Sequence, residues 1–120
     1  MSGINRELTP HPRSSLFDKH LPGTPQVARL LRKEGKAHVF KDRATMDLVV
    51  QAIIERGELT GFEDKHDDYD RYGLYFEEAI GYQIRADGSL LALYYAEIKI
   101  VKGDNKYHVI PRTKPRRPKR

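Results

Sequence analysis

Hydrophobic residues recur with a helical period in the first half of the chain. Between residues 42 and 57 the apolar side chains are three or four positions apart, which places them on one face of a helix. Asp42 is a typical N-cap and Gly57 a typical stop signal. The sequence therefore predicts a helix at about Arg43–Arg56. Its apolar stripe consists of Met46, Val49, Val50, Ile53 and Ile54.

A shorter helix and an irregular arm are predicted before this one. Thr24-Pro25 combines an N-cap hydroxyl with a proline at the first helical position, and Gly35 ends the helix. The arm, residues 1–23, contains three prolines and few periodic apolar positions. Phe17 and Leu21 are predicted to anchor it to the rest of the domain.

An alternating pattern in the second half of the chain predicts a β-hairpin. Every even position from Leu90 to Ile100 is apolar, and we expect this row to be buried because side chains alternate between the faces of a sheet. The turn is placed at residues 102–105, and a loop of even length keeps apolar and polar residues apart. The apolar face then gains Tyr107, Val109 and Pro111, and the polar face holds Glu97, Lys99, His108 and Arg112.

A further strand, Ile80–Arg85, precedes this hairpin and pairs with its first strand. A three-residue loop, Ala86–Gly88, is favoured over a two-residue loop because it keeps the apolar residues of both strands on one face. Residues 37–40 are predicted to form a brief extended segment. The predicted fold class is α+β, with two N-terminal helices packed on one face of a three- to four-stranded antiparallel sheet.

At 120 residues the chain has the size of one domain. It divides into the arm, an α+β domain over residues 24–113 and a flexible basic tail, residues 114–120. The absence of cysteine excludes disulfides and thiolate metal sites. No apolar run approaches the ~20 residues of a membrane-spanning helix, so the sequence predicts a cytoplasmic protein with no membrane partner.

Positive charge is concentrated at the C-terminus. Residues 112–120 hold six of the 22 basic residues and no acidic residue. Subtracting these six leaves 16 basic residues against 17 acidic ones, so the body of the chain is about neutral. Prolines keep such a tail extended, which suits contacts with phosphate groups. The predicted substrate contacts here are Thr113, Lys114, Arg116 and Arg117. A solvated tail without a ligand is an equally good interpretation.

The segment Glu63–Asp70 is acidic and is predicted to be a surface loop. Its aspartates and His66 are also the residue types of a metal site, but their position in a polar run favours a solvated loop. These aspartates are Asp64, Asp67, Asp68 and Asp70. The aromatic residues nearby are interpreted as packing groups rather than base-stacking groups. They are Tyr69, Tyr72, Tyr75 and Phe76.

The polar face of the hairpin has the residue types needed to cleave RNA without a metal ion. That reaction needs a base for the 2′-hydroxyl, an acid for the leaving 5′-oxygen and cations for the phosphate. Glu97 is the predicted base and His108 the predicted acid. Lys99 and Arg112 are predicted to hold the phosphate, and Tyr95 to stack a base. Cross-strand ion pairs on an ordinary solvated sheet are the alternative interpretation.

The order of elements also suggests a family. Two helices followed by an antiparallel sheet with a polar last strand resemble the barnase, EndoU, colicin-tRNase and RelE superfamily of small metal-independent ribonucleases. Many of these are bacterial toxins. The stretches AHVFKDRATM, YYAEIKIV and YHVIPRTKP are similar to those of small bacterial domains. The resemblance covers about residues 20–115.

The resemblance implies a metal-independent endoribonuclease with no cofactor, with RNA as substrate and an inhibitor or immunity protein as partner. It also implies catalytic polar residues on the sheet and near the start of the preceding helix. On the sheet, the matching residues are Glu97, His108 and Arg112. Near the start of the helix, they are His38 and Arg43. His38 is then a reserve acid–base group and Arg43 a substrate-binding residue. The neutral body departs from the basic cleft of many such ribonucleases.

Two other classes of function stay open. Asp87 followed by Glu97-Ile98-Lys99 resembles the PD-(D/E)xK nucleases, in which the acids hold Mg²⁺. Asp87 is also fully explained as a turn residue before Gly88. The second class is a non-enzymatic nucleic-acid or protein adaptor of the antitoxin or immunity type. In that case the acidic segment would contact a basic partner.

Overall fold

A computed structural model describes residues 3–60 and 69–114 of the chain. Within these residues the helices are α1 (Ser15–Asp18), α2 (Pro25–Glu34) and α3 (Arg43–Arg56). The strands are β1 (Thr9–Pro10), β2 (Lys36–Phe40), β3 (Glu58–Leu59), β4 (Tyr69–Tyr75), β5 (Gly81–Arg85), β6 (Leu90–Leu93), β7 (Tyr95–Val101) and β8 (Lys106–Arg112). None of the helices in this part of the chain has the length and apolar character needed to cross a membrane.

Helices α2 and α3 lie where the sequence predicts them, because their end signals form. The Thr24 hydroxyl accepts a hydrogen bond from the Val27 amide at 3.3 Å. The Asp42 carboxylate accepts one from the Thr45 amide at 2.7 Å. Gly35 ends α2 in the left-handed conformation, with a φ of 74°. An N-cap of this kind contributes about 0.5–2 kcal/mol, enough to fix where each helix begins.

The strands form two sheets rather than the single sheet predicted. The large sheet has the order β1-β8-β7-β4-β3, and the small sheet has the order β2-β5-β6. Among the described strands, β1 runs parallel to β8 and the other pairs are antiparallel. The α+β class is therefore confirmed, while the prediction of one antiparallel sheet with three to four strands is wrong.

The strand predicted over residues 90–100 is divided between the two sheets at Tyr94. β6 is an edge strand of the small sheet, whereas β7 lies between two neighbours in the large sheet. Leu90 is 61% and Tyr94 46% exposed, while Ile98 and Ile100 are fully buried. The prediction of one continuous buried row is therefore correct only for the β7 half, because the fully buried residue of β6 is Leu93, at an odd position.

Each of the two longer helices packs on a different sheet. α3 covers one face of the large sheet and forms the main core with it. Buried residues of this core include Met46, Val49, Ile53, Ile98 and Val109. α2 covers the small sheet, where Val27 packs with Ala37 and Val39. The prediction that both helices share one sheet face is wrong, because the apolar stripe of α2 is buried by the second sheet instead.

The N-terminal arm contains more regular structure than predicted. It includes α1 and the strand β1, which pairs with β8 of the large sheet. Leu21 is buried in the main core. The Phe17 ring packs edge-on against Tyr107, with ring centroids 6.1 Å apart. The prediction that Phe17 and Leu21 anchor the arm is confirmed.

The predicted register of the β5–β6 hairpin is confirmed. Its loop, Ala86–Gly88, places Ile84 opposite Leu90 in the neighbouring strand. Gly88 has a φ of 87°, a left-handed conformation that glycine adopts without steric cost. Asp87 Oδ1 accepts a hydrogen bond from the Ser89 amide at 2.9 Å, as expected of a turn aspartate.

The predicted register of the β7–β8 hairpin is confirmed as well. Four residues, 102–105, separate the two strands, and Lys99 lies directly opposite His108. Since side chains alternate along both strands, the polar residues of the hairpin face away from α3 and the main core. The even length of this loop therefore places four polar residues on one face of the sheet. They are Glu97, Lys99, His108 and Arg112.

Replacement of Ile98 by alanine tests the assignment of the main core. Ile98 is fully buried between α3 and the large sheet, so we expect Ile98→Ala to lower the free energy of unfolding by about 2–5 kcal/mol. Leu48→Ala is the matched control, because Leu48 is exposed on α3 and its truncation should change stability by about 0.5 kcal/mol or less. Urea unfolding measures both, and equal midpoints for the two variants would contradict this core.

Candidate functional site

Three cross-strand rows of side chains form the polar face, by which we mean the face of the large sheet opposite α3. The pairings of β7 with β4 and with β8 define these rows. The first row is Tyr75, Tyr95 and Arg112; the second is Gly73, Glu97 and Ile110; the third is Arg71, Lys99 and His108. The sequence predicts five members of this set, but it does not predict Ile110 or the contribution of β4. The five are Tyr95, Glu97, Lys99, His108 and Arg112.

A fully buried carboxylate lies in the middle of the polar face. Glu97 has no exposed surface. Its Oε1 is 3.4 Å from Arg112 Nη1 and 3.7 Å from Arg71 Nη1. The Tyr95 hydroxyl donates a hydrogen bond to Oε2 at 3.3 Å. A buried charge is tolerated only when it is paired and hydrogen-bonded, and these three side chains meet that requirement.

The absence of a side chain at Gly73 makes room for this arrangement. Gly73 lies directly opposite Glu97, and a Cβ atom at this position would overlap the Tyr95 hydroxyl. The Tyr95 ring therefore occupies the space above Gly73 and reaches the carboxylate. Burial raises the pKa of Tyr95, and the negative charge of Glu97 raises it further, so the hydroxyl stays protonated and keeps donating.

Tyr95 lies on the polar face, in the row that the sequence predicts. The residue was predicted to stack a nucleobase, but it is buried and therefore has no free ring face for a base. The Tyr75 ring covers it, with centroids 4.6 Å apart. Tyr95 thus supports its neighbours instead of meeting a ligand.

Arg112 is the member of the buried network that reaches solvent. Its side chain is 30% exposed, compared with 8% for Arg71. One guanidinium nitrogen contacts Glu97, which holds the planar group in place at the end of β8. A fixed arginine fork with exposed N–H groups is suited to binding a phosphate or a carboxylate.

A neutral histidine of the small sheet belongs to the same region, because β2 packs against β8. Arg85 Nε donates to Gln83 Oε1 at 3.1 Å, so the Gln83 amide nitrogen faces His38 Nε2, 2.9 Å away. The amide donates, and His38 Nε2 accepts. Burial lowers the pKa of His38, and the charges of Lys36 and Arg112 lower it further. Among the described residues, Gln83 is the donor that holds the His38 ring at Nε2, and the positive charge of Arg112 acts on this ring.

Two further histidines, His20 and His108, are buried. His20 Nδ1 donates to the His38 carbonyl at 2.8 Å, and burial lowers its pKa to about 4. Burial, followed by the charge of Lys99, lowers the pKa of His108 to about 3. Within the described residues, neither His20 Nε2 nor His108 Nδ1 has a hydrogen-bond partner. Both rings are therefore neutral at neutral pH, so His108 lacks the protonated form that a general acid requires.

The sequence gives no signal for His20, because a single histidine in an irregular arm carries no recognisable pattern. Its role becomes visible only in three dimensions, where its backbone carbonyl accepts from the Phe40 amide at 2.9 Å. Together with the side-chain hydrogen bond to His38, this contact ties the arm to β2.

The remaining predicted site residues lie in different places. Lys99 Nζ is 4.3 Å from the centroid of the Tyr69 ring, a cation–π contact on the polar face. Arg43 is exposed in the first turn of α3, on the other side of the large sheet. Thr113 and Lys114 are exposed just after β8. Arg116 and Arg117 lie outside the described residues.

The structure gives no support for a metal centre in the part of the chain that it describes. No group of three or more His, Cys, Asp or Glu residues there could hold a metal ion. Residues 63–68 of the acidic segment lie outside the described residues. Asp70 is in β4 and forms an ion pair with Arg6 at 3.5 Å. Asp87 is accounted for by its turn hydrogen bond.

Replacement of Glu97 by glutamine tests the buried ion pairs. The substitution keeps the shape of the side chain but leaves the buried Arg71 guanidinium without this carboxylate, so we expect a loss of about 3–5 kcal/mol in the free energy of unfolding. Glu78→Gln is the control, because Glu78 is exposed and its substitution should cost about 0.5 kcal/mol or less. Urea unfolding that shows the same small effect for both variants would contradict the network.

Burial of His108 predicts a dependence of stability on pH. An unfolded histidine has a pKa near 6.5, whereas His108 in the fold has a pKa of about 3. The unfolded state therefore binds the proton first, and stability falls as the pH drops below about 6.5. In the His108→Gln variant the loss of stability between about pH 7 and about pH 5 should be smaller by about 1–2 kcal/mol. Urea titrations at both pH values measure this difference, and an unchanged loss would contradict a neutral, buried His108.

Comparisons with known proteins give a family but no activity. No curated protein and no solved structure matches the chain. The family described as "Domain of unknown function (DUF6972)" matches residues 6–116. Because this match covers nearly the whole chain, the protein belongs to that family.

Proposed function

We propose that the protein cleaves single-stranded RNA without a metal ion, where the polar face of the large sheet meets β2. One observation carries this proposal: a buried carboxylate fixes the partly exposed guanidinium of Arg112 near a neutral histidine, His38. Metal-free RNA cleavage needs a cation for the phosphate and a base for the ribose hydroxyl. Arg112 and His38 supply these two groups.

Arg112 is the proposed phosphate ligand. Its contact with Glu97 uses one guanidinium nitrogen, and its partial exposure allows other N–H groups to reach a phosphate oxygen. Such a donor is most effective when it is already fixed where negative charge develops on the phosphorane. Glu97 provides that fixation and is a positioning residue, because a carboxylate without exposed surface cannot touch RNA.

His38 is the proposed general base. Its Nε2 accepts from an amide N–H group, and a ribose 2′-hydroxyl could replace that donor without any change in the direction of the hydrogen bond. The lowered pKa keeps the ring unprotonated at neutral pH, as a base requires. This assignment transfers the role of base from Glu97 to His38, the reserve group of the sequence analysis.

The proposed reaction is a transesterification. His38 takes the proton of the 2′-hydroxyl, the 2′-oxygen bonds to phosphorus, and the bond from phosphorus to the 5′-oxygen breaks. The leaving oxygen takes a proton from Lys99 or from water, which yields a 2′,3′-cyclic phosphate and a free 5′-hydroxyl. His108 is not assigned as the acid, because its lowered pKa leaves it neutral. A toxin-type role, a cytoplasmic setting and an immunity partner belong to this proposal through the resemblance described above.

RNA binding without cleavage is the second candidate function. The observation that favours it is the burial of Glu97 and His108, the two proton-transfer groups that the sequence suggested. In that case Arg112 and the basic tail would contact phosphates, and His38 would be a structural residue. The antitoxin- or immunity-like adaptor considered from the sequence belongs to this class.

A cleavage assay in EDTA separates the two candidates. We expect the protein to cut a single-stranded RNA in EDTA and to leave 2′,3′-cyclic phosphate ends. His38→Ala should lower the rate by ~10²–10⁴-fold without unfolding the protein, since it removes a proton-transfer group. His11→Ala is the matched control, because His11 lies in the N-terminal arm and has no part in the proposed site. It should keep the wild-type rate.

Three results would contradict the proposal. Bound but uncut RNA would favour the adaptor, and cleavage that disappears in EDTA would favour a metal-dependent nuclease. Equal rates for His38→Ala and wild type would remove His38 from the mechanism. Circular dichroism of both variants checks that each is folded.

A further inference from the structure

We infer that Tyr75 is a platform on which a nucleobase of single-stranded RNA stacks, next to the phosphate site at Arg112. This inference rests on the proposed function only in taking RNA as the ligand, and it does not require cleavage. It assigns a second contact to the same ligand, on a residue that the sequence pattern suggested was a packing group.

Tyr75 is a large aromatic side chain that the fold leaves in solvent. It ends β4 and is 60% exposed, although its neighbours on the polar face are largely buried. Rings of this size usually contribute by burial, and an exposed ring contributes little of that stabilisation. Although the ring packs on Tyr95, most of its surface is therefore available to a ligand.

The ring is supported from below. Its centroid lies 4.6 Å from that of Tyr95, with an angle of 46° between the planes. Tyr95 is itself fixed by burial and by its hydrogen bond to Glu97. Because the supporting ring is fixed, the exposed ring has less freedom to lose when a base packs on it. Preorganisation of this kind increases affinity.

The phosphate site is in the same row of the sheet. Tyr75 and Arg112 both lie directly opposite Tyr95, one on each side. Two strand spacings separate their backbones, which is about 10 Å. One RNA strand crossing this row could therefore place a base on the tyrosine ring and a neighbouring phosphate on the guanidinium. Proteins that bind single-stranded nucleic acid combine these two kinds of contact.

This geometry selects single-stranded RNA rather than a duplex. A base inside a duplex is stacked on both faces, whereas an unpaired base has a free face for an aromatic side chain. Stacking depends little on base identity, because every base has a π-face. We therefore expect weak sequence preference at this position and poor binding of a perfectly paired duplex.

Binding measurements on Tyr75 variants test the inference. The probe is a fluorescein-labelled 2′-O-methyl RNA, which cannot be cleaved through its 2′-oxygen, together with an abasic strand of equal length. Tyr75→Leu should weaken binding of the RNA by roughly 5- to 150-fold, the range that corresponds to losing one stacked base. Tyr75→Phe keeps the ring and should retain the wild-type affinity. The abasic strand should bind all three proteins equally, because it retains only the phosphate contacts.

The possible failures are distinguishable. If wild type does not bind the RNA at all, both the platform and the proposed function are wrong. If RNA binds but Tyr75→Leu has the wild-type affinity, the platform alone is wrong. An equal loss of affinity for RNA and the abasic strand would also overturn the platform, since the effect would not involve a base.

Discussion

The arrangement of the polar face depends on one buried charge, the carboxylate of Glu97. Taking such a group out of water is costly unless strong partners replace the water, and the surrounding residues are arranged to provide them. Arg71 comes from β4, Arg112 from β8 and Tyr95 from β7 itself. A shift of one residue in any of these pairings would turn a partner to the other face. The charge therefore favours a single register for three neighbouring strands.

The local features of the fold were predictable, but the division into two sheets was not. Helix caps and loop lengths are read from a few adjacent residues, which is why α3 and both hairpin registers were predicted correctly. The alternation of side chains runs across Tyr94 without interruption, so nothing in the sequence marks the change of sheet there. The burial of Glu97 was equally hidden, because Arg71 and Gly73 lie in a part of the chain with no clear pattern. Whether a carboxylate on a strand is solvated or buried depends on residues that are far away in the sequence.

The candidate site is composite, and this explains why the sequence gave its residues different roles. One hairpin brings Glu97 and Arg112 together, while His38 comes from the small sheet and Tyr75 from the end of β4. The residue types on the hairpin suggested a base and an acid, but burial makes Glu97 a support for Arg112 and keeps His108 neutral. A side chain can contact a substrate only if it is accessible from the surface. Residue type alone does not show how deeply a side chain is buried.

We propose that Glu97 contributes to RNA binding through Arg112. A double-mutant cycle tests it most directly, with RNA affinities measured for wild type, Glu97→Gln, Arg112→Lys and the double variant under conditions in which all four are folded. Lysine keeps the charge at this position but loses the guanidinium fork. We expect a coupling of about 0.5–3 kcal/mol, because the second substitution should cost little once the first has released the guanidinium. Strictly additive effects would contradict it.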